Sequence, residues 1–90
     1  MPSKVEKDIS SLSEAVERNF KGMVLSRLYD FGKDYLMVLD YKTRKEDEFL
    51  YDPFYTVNKK TFKLAGFSPT MNIELFKKTM KSKPLYSRGT

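Results

Sequence analysis

The 90-residue chain contains no cysteine, no histidine and no tryptophan. Without thiols there is no disulfide framework, zinc ribbon, iron–sulfur site or thiol nucleophile. Without imidazole there is no Ser-His-Asp triad and no histidine metal site. The longest apolar run, Tyr35-Leu36-Met37-Val38-Leu39, falls far short of the ~20 residues of a membrane span. The four glycines, Gly22, Gly32, Gly66 and Gly89, are too scattered to form a phosphate-cradling loop. Met1 to Lys7 has no apolar core of a leader, so no signal peptide is expected, and a reducing, cytoplasmic location follows as the expectation. No cofactor, membrane contact or small-molecule substrate is implied.

Acid is scarce in the last third. Residues 1–58 carry nine basic and eleven acidic side chains, net −2, whereas residues 59–90 carry eight basic ones and only Glu74, net +7. Seven Phe and six Tyr are too many for a chain that forms no core, which argues against disorder, although none lies in residues 1–19. The length fits one domain, expected over residues 1–86 with a frayed tail at 87–90.

Val5, Ile9, Leu12 and Val16 recur at helical spacing, and Ser3 with Glu6 forms a capping-box pattern, so a helix is expected over 3–18. Met23 to Tyr29 and Tyr35 to Tyr41 are rich in strand formers and flank a turn at Gly32. A register centred on Gly32 places Tyr29 opposite Tyr35, Arg27 opposite Met37 and Met23 opposite Tyr41. Neither face of this hairpin is polar, so either intramolecular cover or a partner must meet the tyrosines. Lys42 to Glu48 reads as a solvated loop. Its acids Glu46, Asp47 and Glu48 lack the alternation and central glycine of a calcium loop. Phe49 to Tyr51 reads as a short strand or lead-in. Phe54 to Val57 and Phe62 to Phe67 form a second hairpin across Asn58 to Thr61, with Val57 opposite Phe62 and Tyr55 opposite Leu64. A second helix over 68–81 buries Ile73, Leu75, Phe76 and Met80. The expected fold is α+β: an N-terminal helix, a four-stranded antiparallel meander and a C-terminal helix, in a two-layer sandwich.

The stretch Asp52 to Thr61, with Gly66-Phe67-Ser68-Pro69, Phe76 and Met80, resembles the C-terminal unit of small proteins of phages and prophages, mostly of Gram-positive bacteria. Similar hairpins occur in unrelated small domains, including toxin-immunity proteins. The resemblance covers about residues 52–80 and implies a mobile-element protein of the host cytoplasm, without naming an activity. Phe62 stands where that pattern has glycine. A left-handed residue there suits glycine and not phenylalanine, so a different turn is expected, with Phe62 already in the strand.

No catalytic pair stands out: Asp30 and Asp34 flank a turn, where aspartate is ordinary. Two readings remain. The first is a non-enzymatic protein-binding module that docks a tyrosine-bearing sheet face (Tyr29, Tyr35, Met37, Tyr41) or a sheet edge on a protein partner, a second copy of itself included. The second is a nucleic-acid-binding module using Lys59, Lys60, Lys63, Lys77, Lys78 and Lys81. The latter requires that the two lysine clusters share one face.

Overall fold

The structure, a computed structural model, describes residues 3–42 and 53–88. The acids Glu46 to Glu48 and the expected strand at Phe49 to Tyr51 lie outside the described residues. Helix α1 spans Lys4–Asn19, strands β1 and β2 span Met23–Phe31 and Asp34–Tyr41, and β3 and β4 span Phe54–Asn58 and Leu64–Gly66. Helix α2 (Ile73–Met80) and a short β5 (Tyr86–Ser87) complete the order. All strands join one sheet in the order β4-β3-β2-β1-β5, with every pairing antiparallel. The fold is therefore α+β, with five strands among the described residues rather than the expected four.

Ser3 starts α1: its hydroxyl accepts from the Glu6 N–H at 3.2 Å, satisfying one of the free donors of the first turn. The helix then buries Leu12 and Val16, with Ile9 packed beside them, against Leu25, Leu28, Tyr35, Met37, Leu39 and Val57. Each such aliphatic side chain contributes about 1.5–3 kcal/mol when fully buried. Tyr29, Leu36 and Val38 point to the other face, where Phe31, Phe54, Phe67 and Met80 of α2 pack on them. The two helices thus cover opposite faces of the sheet. The two-layer expectation becomes three layers, because the β2 run Tyr35 to Leu39 is apolar at every position and both of its faces need cover.

A one-residue irregularity in β1 decides which side chain goes where. Leu25 pairs with Leu39, but Arg27 pairs with Val38, so Ser26 is an extra residue. From there to the turn every β1 side chain changes face. Leu28, Tyr29 and Asp30 come to oppose Met37, Leu36 and Tyr35, and the turn tightens to Gly32-Lys33. Gly32 has φ 69°, as the first position of a two-residue type II′ hairpin turn requires. The register expected from a loop centred on Gly32 holds only from Met23 to Leu25.

The second hairpin also differs. Val57 pairs with Leu64 and Tyr55 with Gly66, two residues on from the expected register, which preserves the face of each side chain. Asn58 organises the turn, its Oδ1 accepting from the N–H groups of Lys60 and Thr61. The Phe62 N–H donates to the Asn58 carbonyl at 2.9 Å. Phe62 has φ 57° and precedes β4, so this phenylalanine takes the left-handed conformation that the sequence argued against. Helix α2 begins at Ile73, and its buried residue is Thr79, with Phe76 and Met80 half-buried. Ile73 and Leu75, expected in the core stripe, are 44 % and 46 % exposed, since eight residues present only one narrow inward face. Ser87 and Arg88, expected to fray, are tied to β1: Ser87 pairs with Arg27, and the Arg88 N–H donates to the bulge carbonyl of Ser26.

Candidate functional site

The bulge at Ser26 dismantles the expected tyrosine face. Tyr35 and Met37 lie under α1, Tyr29 lies on the α2 side, and each is 2 % exposed. Tyr41 is half-buried at the far end of β2, opposite Met23. These four residues are not brought together on one surface. They are largely core, in keeping with intramolecular cover of both faces.

Tyr35 has a structural task. Its hydroxyl donates to Asp8 Oδ2 at 2.6 Å, and Lys4 Nζ donates to the same oxygen at 2.7 Å. Burial works to raise the Asp8 pKa, but the hydrogen bonds from Lys4 and Tyr35, with the Lys4 charge, outweigh it and hold the carboxyl below its ordinary value. Burial, then the hydrogen bond to Asp8, pushes the Tyr35 hydroxyl up to about 12. Lys59 Nζ sits 5.3 Å from the Tyr35 ring centre and 2.6 Å from Asp30 Oδ1, while Lys4 Nζ also reaches the Lys59 carbonyl at 3.3 Å. These five side chains clasp the start of α1 to β1, β2 and the β3–β4 turn. Asp8 was not a candidate from sequence. Its signal was the row Asp8, Leu12, Val16 at spacing four, which places a carboxylate on the buried line of the helix.

The six candidate lysines divide. Lys59 is committed to Asp30 and Tyr35 on the α1 side of the sheet. Lys60 and Lys63 are exposed in the same turn. Lys77, Lys78 and Lys81 belong to α2, which packs on the opposite face. Their late position in the helix also suits its negative end.

An open concavity lies beside α1. The helix covers β1, β2 and Val57 of β3, and among the described residues the same face of β4 is left exposed. The result is a groove of about 700 Å³, floored by Met37 and Val57, walled on one side by Ser11, Ala15 and Asn19 and on the other by Phe62 and Leu64. The helix wall is low because Ser11, Ala15 and Asn19 recur at spacing four and are small or short. Phe62 and Leu64 are 42 % and 43 % exposed. A left-handed conformation costs a β-carbon-bearing residue roughly 1–2 kcal/mol, so the Phe62 ring is held at the groove mouth against a local penalty. The wall residues Ser11, Ala15 and Asn19 carried a sequence signal, a row beside the apolar stripe. The role of Phe62 became visible only with its backbone angle. A smaller cleft of about 370 Å³ lies between α2 and the β1–β2 turn, lined by Phe31, Leu75, Lys78 and Thr79.

No group of three or more metal-ligating side chains occurs among the described residues. No helix among them is long and apolar enough to cross a membrane. No family model matches the chain, and no curated protein or solved structure matches it.

Proposed function

We propose that this protein is a non-catalytic protein-binding module whose docking surface is the groove between α1 and the β3–β4 edge. The observation that carries the reading is Phe62, a large apolar residue kept exposed and left-handed at the mouth of an apolar groove, beside the equally exposed Leu64. A fold has no stability reason to keep an aromatic ring there when glycine fits the backbone better. The surface expected from the sequence, a sheet face or edge, is kept in kind, but its exposed residues are Phe62 and Leu64 instead of the tyrosines. The resemblance to phage proteins makes an accessory role of a mobile element, in a host cytoplasm and by steric or competitive binding, part of the same proposal. The nucleic-acid reading has less support, because its lysines divide between the two faces of the sheet.

Co-purification from the encoding cell tests this, with the parent and Phe62→Gly compared at low and moderate salt. We expect a protein, or a second copy of the chain, to be retained by the parent and lost by the variant while the urea midpoint is kept. Retention of nucleic acid in its place, indifferent to Phe62, would overturn the reading.

A further inference from the structure

The groove has the shape and charge to define its occupant. Its floor and outer wall are apolar, and its inner wall is a row of small side chains, Ser11 and Ala15, on α1. Small residues in a helix ridge let a second helix approach closely, at the 8–10 Å of ordinary helix packing. Among the described residues one helix lies on this face of the sheet, and the open width beside it lies over β4.

Charge gives the groove a direction. The Lys4 contact with the Lys59 carbonyl fixes the start of α1 at the β3–β4 turn. That end therefore gathers Lys4, Lys7, Lys59 and Lys60, while Lys63 and Asp34, both opposite Asn58, alternate toward the other face of the sheet. On the groove face the acids Asp8 and Asp30 are already bonded to Lys4 and Lys59. Among the described residues no ion pair involves Lys7 or Lys60. Lys7 precedes Ser11 by one turn and so stands on the groove side of α1, whereas Glu6 is seven before Ser13, which lines a cleft with Val24, Leu25 and Tyr86 on the β1 side of the helix, and so stands on the opposite flank. The positive end of the α1 dipole adds to this field.

We infer that the groove receives an amphipathic helix of a partner protein, its apolar stripe on Phe62 and Leu64 and its acidic end at the lysines. This deepens the docking reading above and rests on it. The competing occupant is an extended segment added to the β4 edge. The Asn58 N–H bonds the Lys63 carbonyl and the Phe67 N–H bonds the Phe54 carbonyl, so by alternation Leu64 and Gly66 turn their N–H and C=O groups outward. β4 is only three residues long and follows Lys63 directly, and shortness and lysine are common protections of an edge. The observations therefore favour the helix.

The test is a selection of displayed random peptides of about 15 residues, roughly four helical turns, on the purified full chain. Ser11→Glu serves as counter-target: the site is exposed, the substitution suits a helix, and it puts bulk and negative charge in the groove. We expect enriched peptides to be acidic, with apolar residues at helical spacing, and to gain helicity on binding. Their affinity should fall at least about tenfold, some 1.4 kcal/mol, with Ser11→Glu and with Lys7→Glu plus Lys60→Glu. Groove-dependent peptides of alternating pattern that protect the Leu64 and Gly66 amides from exchange would overturn the helix and leave the docking reading standing, as would neutral or basic ones. If no peptide distinguishes the chain from Ser11→Glu, both fail.

Discussion

At the scale of single residues, two side chains hold unusual positions for opposite reasons. Phe62 is strained and exposed, so removing it should not harm the fold. Phe62→Gly relieves the left-handed penalty of roughly 1–2 kcal/mol and gives back part of it through the greater freedom of an unfolded glycine, about 0.5–1 kcal/mol. Equilibrium urea unfolding is expected to show a variant unchanged or more stable by up to about 1 kcal/mol. A clear loss of stability would mean that the ring is part of the core. Tyr35 is the reverse: unstrained, buried and bonded to a carboxylate. Because the folded Asp8 pKa lies below its value of 3.8 in the unfolded chain, the stability it contributes is present above about pH 4 and is lost as pH falls through the lowered value. Tyr35→Phe should cost about 1.5–3 kcal/mol at neutral pH, the range for a hydrogen bond to a charged group. That cost should shrink in acid, once Asp8 is protonated. Unfolding curves of both proteins between neutral pH and pH 2 check this, and a pH-independent difference would show that only packing was lost. The Tyr35 hydroxyl, pushed up to about 12, contributes below pH 10, and that contribution is lost as pH rises through the folded value.

At the scale of elements, the bulge in β1 matters more than any propensity. One extra residue at Ser26 sends Leu28 under α1 and Tyr29 under α2, and fixes a two-residue turn at Gly32-Lys33. It also turns the Ser26 carbonyl to the Arg88 N–H and so helps to hold β5 at the edge. Deleting Ser26 would restore a regular ladder while keeping Leu25 opposite Leu39 and Arg27 opposite Val38, so every side chain keeps its face and only the bend of the strand and the Arg88 anchor are lost. We expect a loss of about 1 kcal/mol, the order of one hydrogen bond, read by the thermal midpoint. A loss of more than about 3 kcal/mol, comparable to losing a large core side chain, would show that the bend itself seats the core. Hairpin existence was legible from the strand formers flanking Gly32 and from Asn58 to Thr61. The registers were not, because counting back from an assumed loop cannot detect an inserted residue or a turn closed by a left-handed phenylalanine. Helix α1 was legible almost to the residue, since its cap and its stripe are local. Helix α2 was legible as an element, but its inward face was not, because over eight residues Ile73, Leu75, Phe76 and Met80 cannot all face the sheet.

At the scale of the whole molecule, the uneven charge loses its first meaning. The basic excess of residues 59–90 is distributed over both faces of the sheet, with Lys59 neutralised by Asp30 and α2 carrying its own lysines on the other side. Nucleic acid should therefore be bound only through diffuse charge. Retention on DNA or RNA at low salt is expected to be weak, and to fall by similar amounts with Lys60→Glu plus Lys63→Glu and with Lys77→Glu plus Lys78→Glu. A steep salt dependence, abolished by reversing either pair alone, would instead describe one continuous basic face.

The sequence by itself determined what is local: the capped helix α1, the existence of both hairpins, the α+β class and the missing chemistry of thiol and imidazole. Only the tertiary structure decided what depends on parity and on distant neighbours. The bulge sent the tyrosines inward, β5 closed the β1 edge, and the reach of α1 left a groove open beside Phe62 and β4. The physical reason is that spacing fixes which side chains share a face along one element. Which face is covered, and how far, depends on where the other elements come to rest.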